Sequence, residues 1–215
     1  MINPRIFPVG EFTVAAVSDG VLHSNHDVIL GIDKAESARL TGVAHGQPVP
    51  IEVNCFLIRH GDHLMLSDAG SGHTMGPTLG KLPENLRAMG VKPEAIKTIL
   101  LTHLHPDHSL GLVDEAGKPV FPNAELVVHE VEASFWLDRT PSPDDSERVT
   151  RNTKAQRSVT APYRDRIRRV TDGEVLPGIS AMLRPGHTPG HSNWLIESFS
   201  DRMLLWGDIV HMASV

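Results

Sequence analysis

Residues 100–112, LLTHLHPDHSLGL, crowd three histidines and an aspartate into six positions directly behind an apolar run. Pro106 excludes one continuous helix through this cluster, because proline lacks a backbone donor and clashes with the preceding turn. The run KTILLTH that leads into it is short and apolar, as a fully buried strand would be. If that strand continues through THLH, His103 and His105 point to the same side. Two imidazoles so placed can hold one cation. A turn at Pro106-Asp107-His108 then aims Asp107 and His108 at a neighbouring point. One short segment would thus supply donors to two divalent metal ions. Imidazole nitrogen and carboxylate oxygen, without thiolate, suit zinc foremost, with manganese or iron as alternatives.

Two ions fed only by His103, His105, Asp107 and His108 are under-coordinated. They need another imidazole and a shared carboxylate. The segment RPGHTPGHSNW sets His187 and His191 among prolines and glycines, a loop chemistry that holds side chains at a fixed point without regular structure. LLWGDIV places Asp208 behind an apolar strand. His187 and Asp208 are the natural suppliers. The single cysteine, Cys55, excludes an internal disulfide and any Cys-rich zinc module. It lies on an expected strand and reads as core.

The remaining chain is ordinary. With 215 residues, 40% hydrophobic and 21% charged, it suits one soluble domain over 1–215. A net charge of -6 opposes a nucleic-acid surface. No signal peptide and no run long enough for a membrane span is visible, so a cytoplasmic protein is expected. Residues 53–59 and 63–68 flank HGD as a hairpin. Leu79, Leu82, Leu86 and Met89 form a helical stripe ended by Gly90, with Pro83 inside it. AELVVHE reads as a strand and EVEASFWLD as one or two helical turns behind it. Residues 138–165 read as a long surface loop or an irregular helical insertion. ISAMLRPGHTPGHSNWLIES gives a strand, a break and a strand, and RMLLWGDIVH a last strand. Trp194 and Trp206 are expected in the core. Phe135 and Trp136 either line an apolar substrate pocket or are simply core, with neither reading favoured. The mixture of strands and helices makes the class α/β or α+β.

The motifs HLHPDH, GHTPGH and LLWGDIV stand in the order found in the metallo-β-lactamase superfamily, which the chain resembles. NCFLIRHGDHLMLSDAGSG is similar to that family's early hairpin and Asp-x-Gly loop. Residues 76–112, with FPNAELVVHEVEASFWL, look closest to the methyl parathion hydrolase branch, and N-acyl homoserine lactone lactonases are also similar. The resemblance implies an α/β fold of the αβ/βα sandwich type with a two-metal site at one edge. It assigns His103, His105 and His187 to a first ion, Asp107 and His108 to a second, and Asp208 to a bridge between them. Asp68 would brace the histidine loop, and His191 would shape its own loop.

The family's further histidine and its C-terminal strands and helices have no counterpart before Val215. The C-terminal part of the sandwich is therefore expected to be missing, leaving a face that another copy of the chain could cover. His211, three residues past Asp208, is not expected to reach the second ion. The implied activity is hydrolysis of a small ester, lactone or phosphotriester by a metal-bound hydroxide. Asp107 would pass a proton to the leaving group. The rival readings are a thioester hydrolase of the glyoxalase II kind and a catalytically silent metal-binding fragment.

Overall fold

Strands that are apolar on both faces need cover on both sides, and this chain supplies it. The computed structural model describes residues 5–28 and 31–212. Four strands come first: β1 (Ile6–Val9), β2 (Phe12–Ser24), β3 (Val49–His60) and β4 (His63–Ser67). They pair antiparallel in sequence order. The β3–β4 turn is the expected hairpin. A helix, α1 (Lys34–Thr41), lies between β2 and β3; the Asp33 side chain caps its start.

The sheet then turns parallel through β5 (Thr98–Leu100), β6 (Glu125–His129) and β7 (Ile167–Val170), giving seven strands in the order β1 to β7. Helices α2 (Leu82–Ala88), α3 (Pro106–Ser109), α4 (Glu130–Ala133) and α5 (Glu147–Thr160) lie in the connections. A second, antiparallel sheet holds β8 (Gly173–Leu176), β9 (Ile179–Leu183), β10 (Ser192–Ser198) and β11 (Asp201–Leu205).

Alternation along the central strands feeds two cores. Leu66, Ile99, Leu126 and Val128 pack against Leu82, Leu86, Trp136 and Tyr163 on the helical side. Met65, Leu100 and Val127 face the second sheet, where they meet Ile179, Trp194, Ile196 and Leu205. No helix among the described residues is long and apolar enough to cross a membrane.

Several sequence expectations change here. The strand before the histidine cluster ends at Leu100, so His103 and His105 lie in the loop beyond it. Pro106 opens α3, where its missing donor costs nothing, and Asp107 and His108 sit in that helix's first turn. For the same reason α2 starts at Leu82 with Pro83 in its first turn. The stretch 138–165, expected as a loop or irregular helix, contains the regular 14-residue α5. Ser146 caps it, and its buried face carries Asn152, Gln156 and Thr160 beside Val159. The helical period is there but is written in polar residues, so hydropathy hides it. Trp194 is buried as expected, whereas Trp206 is 53% exposed. It follows β11, whose last pair is Trp194–Leu205 and which lies at the edge of its sheet among the described residues.

One buried carboxylate ties the first loop to the sheet. Asp19 sits where β2 shifts register, and it accepts from the backbone amides of Ser71 (2.8 Å), Gly80 (3.2 Å) and Leu82 (3.0 Å). It thereby fixes the segment from β4 to α2. Asp19→Ala would leave three amides without their acceptor. We expect a loss of about 3 kcal/mol, read as a lower urea midpoint with unchanged m-value; an unaltered midpoint would mean that water replaces the carboxylate.

Candidate metal centre

Parallel neighbours β4 and β5 end side by side, so the loops that leave them emerge at one edge of the sheet. Such an edge, beyond the carboxyl ends of parallel strands, is where α/β folds gather functional groups. The loop after β4 brings Asp68. The loop after β5 brings His103, His105, Asp107 and His108. The β9–β10 connection brings His187, and its far end is pinned by Ser192 N–H donating to the Thr102 carbonyl at 2.9 Å. Asp208 follows β11, and its backbone N–H donates to His191 Nε2 at 3.0 Å. His191 itself is fully buried, and burial lowers its pKa and keeps the ring neutral, as an acceptor must be.

Asp68 orders the histidines. It is buried, with φ 63°, a left-handed conformation that aspartate tolerates better than most side chains. Its carboxylate accepts from Thr102 N–H at 2.8 Å, from the Thr102 hydroxyl at 2.9 Å and from His108 Nδ1 at 2.9 Å. A hydroxyl has one proton. Having given it to Asp68, Thr102 Oγ1 must accept from His103 Nδ1, 3.0 Å away. The tautomer of His103 follows: Nδ1 carries the proton and Nε2 presents a lone pair. That Nε2 is buried and has no hydrogen-bond partner. A buried imidazole lone pair facing other donors fits a cation.

Three overlapping donor groups surround this point. His103, His105 and His187 form the first; His103, His108 and Asp208 the second; His187, Asp208 and His211 the third. Within each, the donor atoms lie no more than 4.8 Å apart. His105 Nδ1 is 2.8 Å from His187 Nε2, and His108 Nε2 is 3.1 Å from Asp208 Oδ1. Asp107 stands slightly apart, with Oδ2 3.6 Å from His108 Nε2.

The electrostatics sort these groups. Burial pushes His103 well below its ordinary pKa, His105 down to about 3 and His187 down to about 4, with neighbouring imidazoles adding to the effect. All three offer lone pairs at neutral pH. His108 is buried too, but the carboxylates of Asp208, Asp107 and Asp68 outweigh that and hold it well above the ordinary value. Against its own burial, Asp208 is held far below the usual carboxylate range by His108 and His211.

A second buried carboxylate, Glu132 in α4, joins the two histidine loops. It accepts from Leu104 N–H (2.7 Å) and Trp136 Nε1–H (2.8 Å) on one oxygen, and from the Thr188 hydroxyl (2.8 Å) and Gly190 N–H (3.0 Å) on the other. Burial raises its pKa even against these four donors. The approach is so close that a Cβ on residue 190 would stand 2.0 Å from Glu132 N, so only glycine fits there.

Trp136 is buried, with its ring 5.8 Å from that of His105. Phe135 stacks edge-on to it and lies under the Arg139 guanidinium. Neither borders the cleft of about 720 Å³ that opens beside Asp107, His108 and Asp208, between Val53 and Phe56 on one side and Leu205 on the other. Thr102 and Glu132 were not singled out from the sequence. Thr102 has no signal beyond adjacency to the motif, and Glu132 looks like any helical acid. His211, set aside from the sequence, lies with Nε2 3.1 Å from Asp208 Oδ2.

Residues 48–215 match the family described as the Metallo-beta-lactamase superfamily. The chain belongs to the metallo-β-lactamase superfamily. As a member of it, the chain is 28% identical over 150 residues to the uncharacterised protein YobT of Bacillus subtilis, covering 69% of this chain and 58% of that protein. It is 25% identical over 179 residues to the N-acyl homoserine lactonase of Bacillus cereus, covering 74% and 64%. The chain thus spans about three fifths of the length of these relatives. Among solved structures, the hydrolase AbOPH of the beta lactamase superfamily superposes with a TM-score of 0.89 at 30% identity, over 98% of this chain and 75% of that one. The dizinc quorum-quenching lactonase AidC gives 0.84 at 24% identity, over 94% and 72%, a likeness of fold. The metallo-β-lactamase fold and its polar edge therefore agree with the sequence motifs.

In this superfamily member the Asp68 carboxylate orients His103, through Thr102, and His108 directly. Asp68→Ala is expected to weaken divalent-cation binding roughly 10- to 100-fold, measured by competition with a chromophoric chelator. Unchanged affinity would show that the imidazoles hold their orientation without it.

Proposed function

We propose that the chain is a metal-dependent hydrolase that opens a lactone or cleaves a related small ester. The observation that carries this reading is the unpartnered, buried Nε2 of His103, which shares a donor group with His105 and His187, whose Nδ1 and Nε2 stand 2.8 Å apart. His103, His105 and His187 would hold one divalent ion. Asp107 and His108 would hold a second, with Asp208 between the two. Zinc suits this donor set best. When bound, such ions supply Lewis acidity, which acidifies water and stabilises negative charge on oxygen. The relatives named N-acyl homoserine lactonase favour a lactone over a phosphotriester as the first substrate to try.

The side chains divide the remaining work. Asp68 and Thr102 keep the proton of His103 on Nδ1, so Nε2 stays a donor of electrons. Glu132 holds the 103–105 loop at a fixed separation from the 187–191 loop. Asp107 lines the cleft beside His108, its Oδ2 3.6 Å from His108 Nε2. It would take the proton released by the attacking water and pass it to the departing alkoxide.

Purified protein loaded with zinc should open an N-acyl homoserine lactone, and a chelator should abolish turnover. His103→Ala should lower kcat/KM by about a hundredfold or more, with a matching loss of bound metal. Asp107→Asn that retains metal but loses rate would support its proton role; full rate with full metal would remove it. One ion per chain and no turnover of any lactone or aryl ester would favour a silent metal-binding fragment instead.

A further inference from the structure

The outermost donor group contains a residue that neither the motifs nor the reading above uses. His211 lies just past Asp208 and is 44% exposed at the mouth of the centre. Its Nε2 is 3.1 Å from Asp208 Oδ2. His187 Nε2 is 3.3 Å from the same oxygen, and His103 Nε2 is 3.8 Å from it. The rings of His187 and His211 meet edge-on, centroids 5.2 Å apart.

Three imidazole nitrogens therefore surround one carboxylate oxygen. That oxygen has two lone-pair directions, and the other oxygen of Asp208 already faces His108. His103 is excluded as a donor to it by its tautomer, which leaves no proton on Nε2. His211 Nε2 hydrogen-bonds to it at 3.1 Å, and the second direction is open to His187. The same spacing also suits a cation shared by these groups. Two donors each about 2.0–2.1 Å from one tetrahedral zinc lie about 3.3 Å apart, close to the 3.1 and 3.3 Å found here.

We propose that His211 is a metal-binding side chain, forming with His187 and Asp208 an outer coordination group at the mouth of the centre. Its position three residues after Asp208 matters. The short helical turn Gly207–Ile209 swings the chain back, so residue 211 faces the carboxylate at 208 rather than leaving the site. The group shares His187 with the three-histidine set and Asp208 with the His103–His108 set. One Nε2 lone pair serves one cation at a time, so a cation held here takes His187 from the three-histidine set, and His211 adds a nitrogen on the solvent side. This rests on the reading of the centre as metal-binding.

The test uses the whole chain labelled with ¹⁵N-histidine and titrated with zinc, together with cobalt(II) titrations of wild type, His211→Ala and His211→Gln. Long-range ¹H–¹⁵N NMR should show His211 Nε2 without a proton and shifted as a coordinated nitrogen in the zinc-loaded protein. Both variants should bind their weakest ion about tenfold or more less tightly and alter the cobalt absorption bands. Because His211 is exposed, their metal-free melting curves should match wild type. A His211 Nε2 that keeps its proton in the loaded protein overturns the proposal, even if affinity falls, since the residue would then only hydrogen-bond to Asp208. Identical affinity and spectrum in the variants also overturn it. Should wild type bind no ion at all, the underlying reading fails and this proposal with it, an outcome distinct from equal binding by wild type and variants.

Discussion

A single carboxylate, that of Asp68, sets the orientation of two of the imidazoles at the centre. It can only accept, so every group that touches it must donate. That requirement fixes the hydroxyl of Thr102, then the ring proton of His103, and separately the ring proton of His108. Two imidazoles on different sides of the cluster are thereby turned with their Nε2 atoms inward. The backbone cooperates: Asp68 N–H donates to the Leu100 carbonyl, and Ala69 N–H to that of His108. The ends of two adjacent parallel strands are laced together at the point where the donors converge.

The larger architecture serves to keep that point still. The seven-stranded sheet is apolar on both faces and is clamped between helices and a second sheet. Loops leaving such a scaffold inherit its rigidity. Where loops must meet loops, buried carboxylates take over from apolar packing. Asp19 gathers the amides between β4 and α2, and Glu132 joins the two histidine-bearing loops. Each is surrounded by donors, which is the condition under which a buried acid supports a fold.

Much of this was legible in the sequence because it was written locally. The histidine–aspartate cluster, the Gly-His-Thr-Pro-Gly-His loop and the aspartate behind the last strand each stand out within a dozen residues. The alternating hairpin and the apolar strands declared the sheet. What escaped was written at a distance. Thr102 and Glu132 gain their meaning only from partners up to 58 positions away. Helix α5 buries amides and hydroxyls where a leucine stripe would have announced it. Trp206 reads as core because it lies in an expected strand, and only strand order shows that it lies past an edge. His211 stands three residues past Asp208, and one tight turn brings its ring back to that carboxylate.

Asp208 presents its two oxygens to different neighbours, Oδ1 to His108 and Oδ2 to His187 and His211. A charge arriving at one oxygen withdraws electron density from the other. If each half of the cluster takes a cation, as proposed, the two cannot titrate as strangers: filling one resets the affinity of its twin. An isotherm built from two independent steps would then misdescribe the molecule, and partial loading would populate mixed species whose proportions depend on the order of addition only until equilibrium is reached.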